Sequence, residues 1–352
     1  MEKNSPLNPS ASGPLNSQKI GEFTDYYEKL GAKRREERVN PLDFRGNPKF
    51  PDTEIVADMT KAQQAVEDFK KKDADLTPEE QIAKANGSIT ETVLCQNIEA
   101  GNMFGKDAHL EIASEFDDFF NHIDAFVIAG VEEDEKPDGT RRNTFGLAFD
   151  FTSKAEDACE KLRMTLEHTI MKGWAPSVKY GKTPDGTQVR NMWVAKVIIG
   201  ADREAVKDLA DLLVNKTGQD TSKPVNEIVL NAFEQHRIKN IITDEILNQL
   251  VAFRNIAYAI AGEIRNDDPD PNRRNKKQHL ESVAKMYHRA YAMFSKILEK
   301  NDFDPHKAEV DRKGDKIASA LHGMIAKAAD PNKKMKLSEY IADYLANTKK
   351  RR

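Results

Sequence analysis

EFDDFFNHIDAFVIAGVEEDEKPDGTRRNTFGLAFDFTSK, residues 115–154, is the stretch on which the reading of the fold turns. Two apolar, β-prone runs, Ile123–Ala129 and Thr144–Phe151, flank a polar segment that contains Asp138-Gly139. Such runs around Asp-Gly turn chemistry predict a β-hairpin. Each run also carries one carboxylate that its apolar pattern does not call for. Asp124 stands near the start of the first and Asp150 near the end of the second. An unpaired carboxylate is costly to bury. Each aspartate is therefore paired, placed at a strand end facing solvent, or engaged with a metal.

Downstream of the hairpin, Ser153 can cap a helix whose first turn holds Glu156 and Asp157. Its apolar stripe is Ala155, Ala158, Cys159, Leu162, Leu166 and Ile170, and Gly173 ends it. Val178–Gly181 reads as a short strand, and Met192–Gly200 (MWVAKVIIG) as a longer, buried one. Ala201–Val214 returns to helical spacing. Upstream, Glu54–Lys72 carries a helical stripe. Thr77-Pro78-Glu79-Glu80 starts a second helix that Gly87 is expected to break. Ser88 and Glu91 form a capping-box pattern for a third, ending near Gly101, and a fourth is expected from Asp107 to Phe120.

Beyond Val225 no strand pattern remains. Apolar stripes from Val229 to Ile260 and from Val283 to Leu298, joined by the polar segment Asn266–Lys277, predict an antiparallel helical hairpin. Short helices are expected at Ile317–Ala329 and Leu337–Ala346, before a basic tail, Lys349–Arg352. At the other end, Met1–Gln18 is rich in Ser, Pro, Asn and Gly and is expected to be disordered. Ile20–Arg38 has the spacing of a short amphipathic helix. Asn40–Thr53, with Pro41, Gly46, Pro48 and Pro51, reads as linker.

The fold class that follows is α/β: a small mixed sheet flanked by helices, with a helical N-terminal preface and a helical hairpin on the C-terminal side. The divisions expected are a tail and linker over 1–53, an α/β core over 54–220, the hairpin over 225–300 and a charged, partly helical tail over 301–352.

The 352 residues are 39% hydrophobic and 32% charged, with a formal net charge of −4. A global basic field that would advertise nucleic acid is therefore excluded, although a local basic groove is not. No apolar run reaches the length of a membrane span, and the N-terminus has no apolar leader core. A cytoplasmic chain with no membrane partner is expected. The 2 cysteines, Cys95 and Cys159, lie in helical patterns without metal-ligand spacing and are expected to be reduced thiols. No Walker loop, Rossmann glycine pattern or nucleophile elbow occurs.

A hairpin bearing one acid on each strand, followed by a helix and a return to the sheet, resembles the core of the PD-(D/E)XK nucleases. In that superfamily a helix supplies a Glu and the second core strand an Asp. The third strand supplies an acid followed two residues later by Lys. FNHIDAFVIAG resembles the strand with the first Asp, at Asp124, and TFGLAFDFTSK the next, with Asp150 in the acidic position. The resemblance implies that Asp124 and Asp150 hold Mg²⁺ and that a helical Glu completes the set, Glu115 first and Glu91 second, with Glu111 also in range. Where the motif has Lys, this chain has Thr152. Lys154 is the first candidate for a displaced lysine, followed by Lys161 and Lys179. The activity implied is metal-dependent phosphodiester hydrolysis, or nucleic-acid binding by a degenerate relative.

Purely structural roles stand beside these. Asp124 can cap the turn after Phe120, and Asp150 can accept amides at the start of the next helix. A function of another class is an interaction or scaffold protein whose C-terminal helices bind a protein partner. That reading expects an exposed apolar patch along them.

Overall fold

A computed structural model describes residues 29, 31–32, 35–100, 103–104, 108–131, 143–183, 186–217, 233, 236–300 and 303–329. The expected tail over Met1–Gln18, most of the Ile20–Arg38 helix, the Asp138-Gly139 turn, the Leu337–Ala346 helix and the basic tail lie outside the described residues.

The fold is α/β. A sheet of β1 (His109–Ile112), β2 (Ala125–Val131), β3 (Asn143–Thr152) and β6 (Ala195–Gly200) runs in that spatial order. The first three strands are antiparallel neighbours, and β6 is parallel to β3. Between β3 and β6 the chain makes helix α4 (Ala155–Leu166), a π-helical turn over Glu167–Met171, and a separate two-stranded sheet, β4 (Ser177–Lys182) with β5 (Gln188–Trp193).

Side chains alternate between the two faces of the main sheet, as strand geometry requires. Ala125, Val127, Leu147, Phe149, Ala195 and Val197 enter a large core with Val93 and Leu94 of α2 (Pro78–Ala100) and with the C-terminal helices. Phe126, Ile128, Ala148 and Val194 enter a smaller core with Val178 and Tyr180 of β4, Ile55 of α1 (Asp52–Ala74), Phe44 and Phe50. The stretch expected as linker thus contributes two buried aromatic rings.

Several expected boundaries move, each for a tertiary reason. Gly87 does not break α2, which runs on past it to pack Val93, Leu94, Cys95 and Ile98. Thr77 and Glu80 supply its reciprocal cap, each side chain accepting the other's backbone N–H. The helix expected from Asp107 to Phe120 is instead β1 followed by α3 (Glu115–Asn121), capped by Ser114. The single strand expected over Met192–Gly200 is divided at Val194, with β5 and β6 in different sheets. The crossing is tight, because a Cβ at Gly146 of β3 would lie 2.6 Å from Val194 Cγ1. The loop expected over Asn266–Lys277 is shortened by α7, which starts at Pro271.

After α5 (Arg203–Thr217), the C-terminal helices are α6 (Arg237–Gly262) and α7 (Pro271–Lys300), followed by α8 (Pro305–Gly314) and α9 (Lys316–Ala329). α6, α7 and α9 bury their apolar stripes in the large core, whereas Val310 of α8 is exposed. Tyr258 is the one large hydrophobic residue of α6 and α7 found exposed among the described residues. No described helix is long and apolar enough to cross a membrane.

The same helices finish the open edge of β6. Gln249 of α6 accepts the Ile198 N–H at 2.8 Å and donates to the Ile198 carbonyl at 2.6 Å. Glu245 accepts the Gly200 N–H at 3.1 Å, and Tyr287 donates to the Lys196 carbonyl at 3.1 Å. An edge strand is thereby satisfied by side chains where another strand would otherwise pair. Replacing Gln249 with Leu keeps most of the volume and leaves two buried backbone groups unpaired. The expected loss is about 2–5 kcal/mol in urea unfolding; a loss under about 1 kcal/mol would show that the edge is satisfied some other way.

Candidate functional site

The site begins with the way Asp117 anchors α3. Its buried carboxylate accepts from Ser114 Oγ (2.8 Å), Asn121 Nδ2 (2.7 Å) and the backbone N–H groups of Lys179 (2.8 Å) and Tyr180 (3.3 Å). Helix and second sheet are thereby locked together. The helix ends at His122, which takes a left-handed conformation with φ of 53°. Few side chains adopt it without support. The chain then turns through buried Ile123 into Asp124.

Asp124 grips β3 on both sides of Asp150. Its N–H donates to the Phe149 carbonyl at 2.9 Å, and its Oδ2 accepts the Phe151 N–H at 2.6 Å. The two aspartates therefore meet in one cavity of about 420 Å³, whose lining also includes Asp118, His122, Lys161, His168 and Lys196.

Asp150 is nearly sealed and doubly paired. Lys196 Nζ lies 2.9 Å from Oδ2, and Lys161 Nζ donates to Oδ1 and, at 2.7 Å, to the Phe151 carbonyl. Lys196 comes from β6, where its backbone partner is Ala148, the residue two before Asp150 on the same face of β3. Lys161 comes from α4. Helical side chains lean toward the N-terminus, so a lysine well inside α4 reaches back over the end of β3.

Electrostatics divides the carboxyls. Burial opposes charge on Asp150, but Lys196 and then Lys161 outweigh it and hold its carboxyl below the ordinary range. Burial first, then the charges of Asp150 and Glu91, push Asp124 well above it. Lys161 is burdened by burial, yet Asp150 and Asp124 raise its pKa. Glu91, on α2, is pushed up to about 7 by burial and then by Asp118. Asp118 is held by Arg38 at 2.8 Å. His122 is lowered, chiefly by burial and then by Lys196. The site thus combines an acid pushed up by burial, an acid pulled down by two lysines and an acid poised near neutrality. That separation suits proton handling around a charged ligand.

The residues expected from the sequence part company here. Asp124 and Asp150 are brought together. Glu91 joins their electrostatic field from a smaller adjoining cavity shared with Arg35 and Arg38. Glu115, placed first as the helical Glu, is exposed in the first turn of α3 and lines a groove with Met59, Val66 and Phe116. Lys154 does not reach the cavity: it is the N-cap of α4, about half exposed, with Asp157 at 3.9 Å. Lys179 serves another ion cluster, at 2.7 Å from Glu54 and also paired with Asp58. Lys161 and Lys196 are the lysines at the aspartates.

Lys196 has a local mark of its own, since a lysine inside MWVAKVIIG breaks the apolar pattern just as the aspartates do. Asp118, His168 and Trp174 had no comparable local mark. Among the described residues, no group of three His, Cys, Asp or Glu side chains is close enough together to hold a metal ion. Comparison of the chain with protein-family models, curated proteins and solved structures gave no match.

The charge assignment has a consequence for stability. Asp150→Ala leaves Lys196 buried without its counter-ion and is expected to cost about 3–5 kcal/mol. Asp124→Asn removes a charge that burial disfavours, and the amide oxygen can still accept the Phe151 N–H. It is expected to unfold within about 1 kcal/mol of the parent. Equal losses for the two variants in urea unfolding would refute this division of charge.

Proposed function

We propose that the chain is a metal-dependent nuclease of the PD-(D/E)XK kind, hydrolysing phosphodiesters in the cavity above Asp124 and Asp150. One observation carries the reading: Asp124, at the entry to β2, and Asp150, on β3, share one cavity with Lys161 and Lys196, although nothing in the apolar strand patterns calls for Asp124, Asp150 or Lys196. The order of elements supports it. A helix bearing Glu91 precedes three antiparallel strands, a helix follows the second acid, and the chain returns as a parallel strand. The departure at Thr152 is offset by Lys161 and Lys196, which come from the following helix and the returning strand.

Mg²⁺ or Mn²⁺ needs only one or two carboxylates when water and substrate phosphate complete its oxygen shell. Asp124 and Asp150 fit that requirement, provided that Asp150 releases an oxygen from one lysine. When bound, such an ion neutralises phosphodiester charge and acidifies a water. Lys161, the more exposed of the two lysines, is the one free to turn from Asp150 toward a phosphate and steady the charge that develops there. Lys196 stays buried and keeps Asp150 ionised. Asp124 and Glu91 must shed their protons before the site carries its full negative charge.

Both of those carboxyls are raised, so the protonated, weakly binding form predominates on the acid side. Mn²⁺ affinity is expected to rise roughly tenfold or more from about pH 6 to about pH 8, with net proton release in calorimetry. Cleavage of plasmid and oligonucleotide substrates should rise in parallel. Asp124→Asn and Lys161→Ala should abolish cleavage, and Lys154→Ala should not. Metal binding without cleavage would leave a degenerate, binding-only relative. Affinity unaffected by pH and by Asp124→Asn would remove the metal site and the proposal with it.

A further inference from the structure

The rim of the cavity is aromatic. Trp174 is 68% exposed and Phe120 46% exposed, and both line the cavity that holds the aspartates. An exposed indole leaves a large apolar face in water, where it stabilises nothing in the fold. Trp174 is nevertheless held in place. Gly173 before it takes a φ of +74°, and the Trp174 N–H donates to the His168 carbonyl at 2.9 Å. The His168 ring stands 5.8 Å from the indole. Phe120 is backed by Phe116, with ring centroids 5.1 Å apart. These are preformed surfaces.

The turn that presents them adds a polar handle. Thr169 lies in the π-helical turn Glu167–Met171 and lines the same cavity. Its hydroxyl is buried and has no hydrogen-bond partner among the described residues. π-Helical turns within helices often mark functional positions.

The charges argue against a duplex lying on this site. Duplex binding depends on several cations that are free to neutralise phosphates. Here Lys196 is held on Asp150, Lys161 is the one lysine of the lining that can turn toward a phosphate, and the lining carries Asp118 as well. In a duplex the faces of the bases are also covered by their neighbours, so an aromatic rim can stack only on an unpaired base.

We infer that the substrate is single-stranded nucleic acid, engaged by stacking of an unpaired base on Trp174, with Phe120 on the same rim and the Thr169 hydroxyl available to the base or sugar. The inference rests on the nuclease reading for its choice of polymer and deepens it by naming the substrate class.

The experiment uses the full chain carrying Trp193→Phe, so that Trp174 is the only tryptophan left of the 2. An oligothymidylate of about ten nucleotides, within the span of common single-strand sites, and its duplex with oligodeoxyadenylate are titrated in EDTA. The readouts are tryptophan fluorescence and the anisotropy of a labelled strand. The single strand should quench Trp174 and bind more tightly than the duplex. Trp174→Ala should weaken single-strand binding roughly tenfold, and Trp174→Phe should restore most of it. Equal binding by the parent and Trp174→Ala, or preference for the duplex, would overturn the inference.

A cleavage assay with Mn²⁺, controlled by Asp124→Asn, separates the two claims. Duplex cleavage that is insensitive to Trp174→Ala leaves the nuclease and removes the stacking. Trp174-dependent single-strand binding without cleavage leaves the stacking and removes the hydrolysis. No binding of either polymer overturns both.

Discussion

The pairing of Asp150 with Lys196 and Lys161 joins β3, β6 and α4 at a single buried point. The whole second sheet separates β6 in the chain from β3 and α4. Their relative placement decides where every other group of the cavity stands. Taking such charges out of water is expensive, and the pairing repays the cost only when the geometry is good and the remaining lone pairs are used. Here one lysine bridges Asp150 and a backbone carbonyl, while the other is anchored on a strand whose backbone is bonded on both sides. Apolar residues of similar size would pack there at no desolvation cost.

A second cluster in the same molecule gives the contrast. Glu54 and Asp58 of α1 meet Lys179 and Arg190 of the small sheet, and Tyr180 donates to Asp58 at 2.7 Å. It stitches a helix to a sheet in the same way and is as rich in charge. None of its members lines the cavity. What distinguishes the Asp150 cluster is the unequal treatment of its acids. One is pulled down by lysines, one is pushed up by burial and one is poised near neutrality.

The C-terminal helices serve this arrangement from behind. Their apolar stripes fill the core under the opposite face of the sheet, and Gln249, Glu245 and Tyr287 satisfy the free edge of β6. A strand with an open edge can slip or pair with another chain. With its edge closed, Lys196 is held in register beside Asp150. The helical hairpin legible in the sequence is thus part of the scaffold of the cavity.

Much of the fold was legible in local pattern. The hairpin strands, the helix after them, the long helical pair and the anomaly of Asp124 and Asp150 follow from polar and apolar periodicity, which acts over a few residues. The misreadings share one cause. A four-residue strand such as HLEI is too short to show its period. MWVAKVIIG is uniformly apolar, and nothing local marks Val194 as the point where it leaves one sheet for another. Gly87 weakens a helix locally, but packing on either side carries the helix through. The site divides along the same line. The sequence by itself determined that two acids sit where apolar residues belong, because that is a property of each run. Only the tertiary structure decided which cations meet them. Lys154 is near in sequence but points into solvent, whereas Lys161 is carried back by the helix and Lys196 arrives with a distant strand. Electrostatic pairing depends on distance in space, which separation along the chain does not encode.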